Sequence, residues 1–97
     1  MMTKNRAIRI ARHRVRLVGI GRGAWAVHWV DVERNVTWHS EIMDYNHAAA
    51  YRRSALLEEA LELLGVPDAG AEAFALSEHE GRWTDLLDAC KAIPAAG

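Results

Sequence analysis

The residues best suited to do chemistry are the arginines of a basic segment near the N-terminus, RIARHRVRLVGI, which runs from Arg9 to Ile20. Arg12, Arg14 and Arg16 stand at alternate positions, and this is the period of side chains on one face of a β-strand. On a strand their guanidinium groups would lie about 6.6 to 6.8 Å apart and could follow phosphates or carboxylates along an extended acidic surface. We call this predicted arrangement the arginine ladder, and it indicates anion binding.

The distribution of charge along the chain points the same way. The first 30 residues contain seven of the 12 lysines and arginines and no acidic residue, although the formal net charge of the 97-residue chain is only -1. All 13 acidic residues follow from Asp31 onward. Such an asymmetry indicates either an acidic partner for the basic half or neutralisation of one half by the other.

Hydrophobic periodicity and turn signals predict the elements that position these arginines. In chain order they are a flexible basic arm (1–7), a three-stranded antiparallel sheet (8–43), a helix (44–65), a loop or short element (66–76) and a final helix (77–93). Asp44 is placed to cap the first helix and Gly65 to end it, whereas Ser77 and Glu80 fit a capping box for the last. The chain is therefore predicted to be one α+β domain of β-β-β-α-α order, with both helices packed on one face of the sheet.

The predicted hairpins assign residues to the two sheet faces. A two-residue turn at Arg34 and Asn35 places His28 opposite Glu41, and a five-residue loop from Gly19 to Gly23 joins the first two strands. One face then forms an apolar core from Val15, Leu17, Trp25, Val27, Trp29, Val36, Trp38 and Ile42. The other face carries Arg12, Arg14, Arg16, His28, His39 and Glu41. A slip by one residue would bury the arginines, so it is disfavoured.

The candidate binding residues follow from this second face and its edges: Arg9, Arg12, Arg14, Arg16, Arg22, His28 and His39. The alternative is a solvated sheet face without a function. Nucleic acid binding remains open on the same residues, but it normally adds stacking aromatic side chains, and the predicted register turns the tryptophans inward. In another interpretation Trp25 or Trp83, at the end of an element, is half exposed and contacts a partner.

Catalytic and metal-binding motifs find little support in this sequence. GIGRG, Gly19 to Gly23, lies between two strands and reads as a turn, since no helix follows it to receive a phosphate. His28 and His39 near Glu41 could supply metal ligands, but the surrounding positive charge would oppose a cation. Cys90 falls on the apolar side of the last helix and reads as a buried thiol. We therefore expect a protein that is not an enzyme and has no cofactor and no metal.

One stretch of the chain resembles a known group of proteins. GAWAVHWVDVERNVTWHSEI followed by NHAAAYRRSALLEEALELLG, from Gly23 to Gly65, is similar to the Trp-bearing antiparallel hairpin and Ala/Leu helix of small phage and mobile-element proteins, some anti-CRISPR proteins among them. The resemblance lies in size and arrangement and not in a motif. It implies a non-enzymatic inhibitor that docks on a host nucleoprotein complex. Many such inhibitors mimic nucleic acid with acidic surfaces, from which the basic segment departs.

The sequence thus predicts a small protein-binding module that uses charged surfaces, with an acidic protein or nucleoprotein complex as its partner. Two other functions stay open: nucleic acid binding by the basic sheet face, and a structural homo-oligomer such as a homodimer in which that face meets the acidic helices of a second copy. A single cysteine and the lack of a secretory or membrane-spanning apolar run predict a cytoplasmic protein with no membrane partner.

Overall fold

The architecture is a three-stranded antiparallel sheet with helices before and after it, in a computed structural model that describes residues 2–94. The elements are α1 (Lys4–Arg14), β1 (Val15–Gly21), β2 (Ala24–Asp31), β3 (Val36–His39), α2 (Tyr45–Leu63), α3 (Ala69–Ser77) and α4 (Trp83–Asp88). The strands pair in the order β1-β2-β3. The predicted α+β class is confirmed, and the order differs because α1 precedes the sheet and α3 lies between the two predicted helices.

Residues 4–14 are helical, so the predicted flexible arm is wrong for residues 4–7 and the predicted start of the sheet at residue 8 is wrong; Met1 lies outside the described residues. Thr3 caps α1, and its hydroxyl accepts a hydrogen bond from the Arg6 amide at 3.2 Å. Ala7, Ile8 and Ala11 are buried together, which is the spacing of one helix face. The alternating arginines match the period of a strand. The segment is nevertheless helical, because a helix buries the apolar face of Ala7, Ile8 and Ala11.

The sheet register differs from the predicted one by two residues on both sides of β2. Val15 pairs with Trp29 in the β1–β2 ladder, and Trp29 pairs with Trp38 in the β2–β3 ladder. Because side chains alternate with a period of two, this shift leaves the residues that pair in these ladders on their predicted faces. The predicted pairing of His28 with Glu41 is wrong, since His28 lies opposite His39.

Two turns and a β-bulge between Gly19 and Gly21 account for this difference in register. The first hairpin closes through Arg22 and Gly23 alone, with φ of 51° and 77°, where a five-residue loop was predicted. Positive φ at both central residues is the geometry that matches the twist of a two-residue hairpin. The second hairpin uses four residues, 32–35, instead of two, because Asp31 pairs with Val36 across the loop.

Helix α2 has the ends that the sequence predicts. The Asp44 carboxylate accepts a hydrogen bond from the His47 amide at 2.9 Å and caps the first turn. At the other end Gly65 takes a φ of 84°, and the Val66 amide donates to the Leu61 carbonyl at 3.0 Å. This pattern is a Schellman motif, in which glycine satisfies the last carbonyls of a helix.

The C-terminal part folds as two short helices and not as one helix over residues 77–93. Ser77, the predicted capping residue, is the last residue of α3, and its hydroxyl donates to the Phe74 carbonyl at 2.8 Å. Gly81 then adopts a φ of 135°, which a helix does not permit, and α4 begins only at Trp83. The segment 66–76, for which a loop or a short element was predicted, contains most of α3.

The core lies between the first two strands and the four helices. Its largest fully buried apolar side chains are Leu56, Leu57, Leu61, Leu87, Val15 and Val27. Helix α2 packs against β1 and β2, and β3 lies beyond it. For this reason Val36, Trp38 and Ile42, which were predicted to be core residues, are exposed.

The tryptophans divide between core and surface. Trp29 and Trp83 are partly buried against the core, and Trp25 is half-buried with its ring edge-on to Tyr45 at a centroid distance of 5.2 Å. Trp38 is 41% exposed, so the prediction that all four build the core is wrong for this residue. The partial exposure considered for Trp25 and Trp83 is observed.

Candidate functional site

The outward side of α1 carries four basic residues, two of which the sequence singled out. Arg6, Arg9, Arg12 and His13 are all exposed, and Arg9 and Arg12 are candidates named from the sequence. Spacings of three and four residues place them on one side of the helix, opposite the buried face. This helix is held in the fold at its first turn, where Lys4 Nζ lies 2.6 Å from Asp88 Oδ1.

A row of three basic side chains crosses the outer face of the sheet. Arg16 in β1 lies opposite His28 in β2, and His28 lies opposite His39 in β3. The two imidazole rings are 6.1 Å apart between centroids. Arg16 Nε also donates to the His13 carbonyl at 2.9 Å and so joins this row to the end of α1. The structure therefore brings together three candidates that sequence analysis assigned to one face.

These two groups form one continuous surface, which we call the basic surface: Arg6, Arg9, Arg12, His13, Arg16, His28 and His39. Two shallow grooves of about 530 and 450 Å³ follow it, and His13 lines both. The first runs along Arg9 and Arg12, and the second passes Arg16 and His28 before it reaches the exposed Glu33 at its end. The two grooves of the basic surface can receive the acidic groups of a partner.

The arginines of the basic surface have no ionic partner in the part of the chain that the structure describes. The ion pairs there join Lys4, Arg14, Arg34 and His47 to carboxylates, and none involves Arg6, Arg9, Arg12 or Arg16. The charge asymmetry of the sequence therefore persists on the folded surface. A carboxylate or phosphate brought to this surface meets guanidinium groups that are not already paired.

Two predicted binding residues lie elsewhere, so the arginine ladder does not form. Arg14 is two positions from Arg12 on a helix, which turns their side chains about 200° apart. Its guanidinium points inward, where Nη1 lies 2.6 Å from Glu59 Oε1. Arg22 is exposed at the β1–β2 turn, about 20 Å along the strand from Arg16.

Sequence analysis missed Arg52, which α2 brings close to the basic surface. Its Nε donates to the Val15 carbonyl at 3.4 Å. Partial burial, and to a smaller extent the charge of nearby Arg12, lower the pKa of Arg52. No local pattern in the sequence signals this proximity, because it arises from the packing of α2 against the strand that follows α1. The role of α1 itself could have been found from the spacing of Ala7, Ile8 and Ala11.

The described residues do not gather metal ligands. Across residues 2–94, no three His, Cys, Asp or Glu side chains lie close enough together to hold a metal ion. Cys90 is buried, as the sequence indicates, and its Sγ lies 3.7 Å from Glu72 Oε2. Within the same range no helix is long and apolar enough to cross a membrane. The chemistry that the basic surface offers is therefore the binding of anionic groups.

Comparison of the chain with protein-family models, with curated proteins and with solved structures found no match. The geometry of the molecule itself thus has to supply the argument for its function.

Proposed function

We propose that the protein is a small non-enzymatic binding module whose basic surface docks on an acidic protein surface. The observation that carries the proposal is a group of four exposed arginines, Arg6, Arg9, Arg12 and Arg16, without ion pairs among the described residues. Complementary charge of this kind steers association and fixes the orientation of a partner. The resemblance to anti-CRISPR proteins supports a host nucleoprotein complex as the target and inhibition as the result.

The rigidity of α1 supports a docking role. Ala7 and Ala11 are fully buried beneath the helix, Lys4 pairs with Asp88 at one end, and Arg14 pairs with Glu59 at the other. The backbone that carries the exposed arginines is thus ordered before a partner arrives. Binding then costs less conformational entropy than it would if these arginines stood on a flexible segment.

The rings on the basic surface favour a protein partner over a single strand of nucleic acid. They are the imidazoles of His13, His28 and His39, whereas Trp25 and Trp29 lie on the inner face of the sheet. Single-stranded DNA and RNA are bound largely by stacking of bases on aromatic side chains. Carboxylates on a protein need only the guanidinium donors that this surface provides.

Duplex nucleic acid is a second candidate, and the helical form of the basic segment favours it. An α-helix fits the major groove of DNA, which is about 12 Å wide, whereas the predicted strand face would have met the phosphates as a sheet. Helix α1 has 11 residues and a length of about 16 Å. Its exposed arginines could contact phosphates on both sides of such a groove.

The test compares two variants with the same change in net charge. Arg9→Glu/Arg12→Glu reverses the basic surface, and Arg82→Glu/Lys91→Glu reverses two exposed cations outside it. Each variant and the wild type are used to capture partners from bacterial lysate with and without nuclease, after circular dichroism has verified the fold. The proposal expects a protein complex that survives nuclease, binds the control variant, and is lost with the Arg9→Glu/Arg12→Glu variant.

Three other outcomes would contradict this proposal. Capture of nuclease-sensitive nucleic acid alone would support the second candidate, and the salt dependence of its binding should then lose about one phosphate contact for each arginine removed. Equal capture by both variants would overturn any role for the basic surface. A molecular mass that rises with protein concentration at low salt, and falls in the Arg9→Glu/Arg12→Glu variant, would instead support the homo-oligomer.

A further inference from the structure

A second surface of opposite charge lies on the other side of the sheet, between β3 and α2. We call it the acidic groove, and it has a volume of about 420 Å³. Its lining consists of Trp29, Asp31, Arg34, Val36, Trp38, Tyr51, Glu58 and Glu62. The groove exists because α2 packs over β1 and β2 and leaves the inner face of β3 without a helix above it.

The walls of the acidic groove are aromatic. The ring of Trp38 stacks on that of Tyr51 with a centroid distance of 5.8 Å and an interplanar angle of 19°. A neighbouring groove of about 470 Å³ shares Trp29, Tyr51 and Glu58 with it and reaches Phe74, which is 67% exposed. Exposed aromatic faces in one continuous channel are unusual for a surface that only meets water.

Two of the three carboxylates that line the acidic groove form no ion pair within residues 2–94. Asp31 is paired with Arg34, but Glu58 and Glu62 form no ion pair with any residue from 2 to 94. Burial raises the pKa of Glu58 and of Glu62, and the charge of nearby Glu59 raises both further. Arg34 lies near enough to Glu62 to lower its pKa slightly against these effects, but neither Glu58 nor Glu62 is ion-paired within the described part of the chain.

We propose that the acidic groove binds an arginine side chain of a basic peptide segment in a partner protein. A guanidinium group is planar, so it can lie against the rings of Trp38 and Tyr51 while its N–H groups donate to Glu58 and Glu62. The chain already uses this chemistry elsewhere, since the Arg53 guanidinium lies 5.3 Å from the ring centroid of Trp83. Charge complementarity selects a cationic occupant, and stacking selects arginine over lysine.

This site and the basic surface use different residues, so the two proposals can fail independently, although Asp31 lines both the acidic groove and the groove along Arg16 and His28. The basic surface is formed by α1 and the outer face of the sheet, whereas the acidic groove is formed by the inner face of β3 and by α2. The Arg9→Glu/Arg12→Glu variant should bind the arginine peptide as the wild type does. A protein with both sites could hold an acidic and a basic element of one complex at once.

The experiment is a titration followed by the indole N–H signals in ¹H–¹⁵N NMR spectra. The probe is the blocked peptide acetyl-GRGRG-amide, and its neutral match carries citrulline at both arginine positions. We expect saturable shifts of the Trp29 and Trp38 signals with the arginine peptide, and at least tenfold weaker binding of the citrulline peptide. The Trp38→Phe variant assigns one of these signals.

Variants then test the two contributions separately. Glu58→Gln/Glu62→Gln should weaken binding at least fivefold, and Tyr51→Leu should weaken it about three- to thirtyfold through the loss of cation–π contact. Glu80→Gln/Asp85→Asn, which removes two negative charges outside the groove, should bind as the wild type. Equal binding of the citrulline peptide, or unchanged binding by Glu58→Gln/Glu62→Gln, would overturn the proposal. So would shifts of the same signals with protein concentration alone, which would assign the groove to a second copy.

Discussion

Replacement of Arg14 by methionine should destabilise the protein strongly, because Arg14 neutralises a carboxylate inside the fold. Glu59 is fully buried, and its Oε1 atom lies 2.6 Å from Arg14 Nη1 and 3.5 Å from Arg34 Nη2. The other oxygen of Glu59, Oε2, is buried without a hydrogen-bond partner among the described residues. Arg14 is itself only 17% exposed, so water cannot fully replace its guanidinium group.

The magnitude follows from the cost of a buried charge that has lost its closest partner, while Arg34 Nη2 remains 3.5 Å from Glu59 Oε1. Removal of one member of a buried ion pair costs about 3 to 5 kcal/mol. A domain of this size has a free energy of unfolding of about 5 to 15 kcal/mol, so the Arg14→Met variant loses a fifth of its stability at the least. With a denaturant slope of about 1 kcal/mol per molar urea, the unfolding midpoint should fall by about 3 M or more.

The assay is equilibrium unfolding in urea followed by circular dichroism. Arg9→Met is the matched control, since Arg9 is exposed on the same helix without an ion pair in residues 2–94, and its effect should stay within about 0.5 kcal/mol. The double variant Arg14→Met/Glu59→Met should recover most of the loss, because it removes the buried charge along with its partner. A loss below about 1 kcal/mol for Arg14→Met, or no recovery in the double variant, would refute this reasoning.

Two further predictions concern the first hairpin and the acidic groove. Arg22→Asn should stabilise the protein by about 0.5 to 1 kcal/mol in thermal unfolding, because Asn-Gly is favoured where both φ angles are positive. Gly23→Ala should destabilise it for the same reason. A loss of stability in Arg22→Asn would contradict this prediction. Because the fold raises the pKa of Glu58 and Glu62, their contribution to stability is full below the ordinary pKa of 4.5 and is lost as the pH rises through the raised values. Glu58→Gln/Glu62→Gln should therefore be more stable than the wild type at pH 7 in urea unfolding, with an advantage that shrinks toward pH 4; an advantage independent of pH would exclude this cause.

Local signals in the sequence were sufficient for the parts of the fold that neighbouring residues decide. Asp44 and Gly65 define the ends of α2 because capping depends on hydrogen bonds and backbone angles within one turn. The alternation of β1 and β2 placed Val15 and Val27 inside and His28 outside, and this assignment survives a two-residue error in register since the side-chain period is two. The class of fold followed from these elements.

Local pattern failed where two periods competed for the same residues. The arginines at 12, 14 and 16 fit a strand, while Ala7, Ile8 and Ala11 fit a helix, and the strand period of the arginines was followed although the apolar spacing also signalled a helix. The contact of those three apolar residues with the core settles the choice, because burial of apolar surface outweighs the small differences in intrinsic propensity.

The sequence by itself determined the α+β class, the caps of α2, the inner and outer faces of the sheet, and the concentration of positive charge before residue 31. Tertiary structure alone decided which charged side chains are exposed and unpaired and can therefore bind a partner. In the folded chain Arg14 points inward and pairs with Glu59, and Arg52 lies near Arg12. The tertiary structure also left β3 uncovered and so opened the acidic groove. The physical reason is that pairing and burial of charges depend on contacts between residues distant in the chain, such as the 45 positions that separate Arg14 from Glu59.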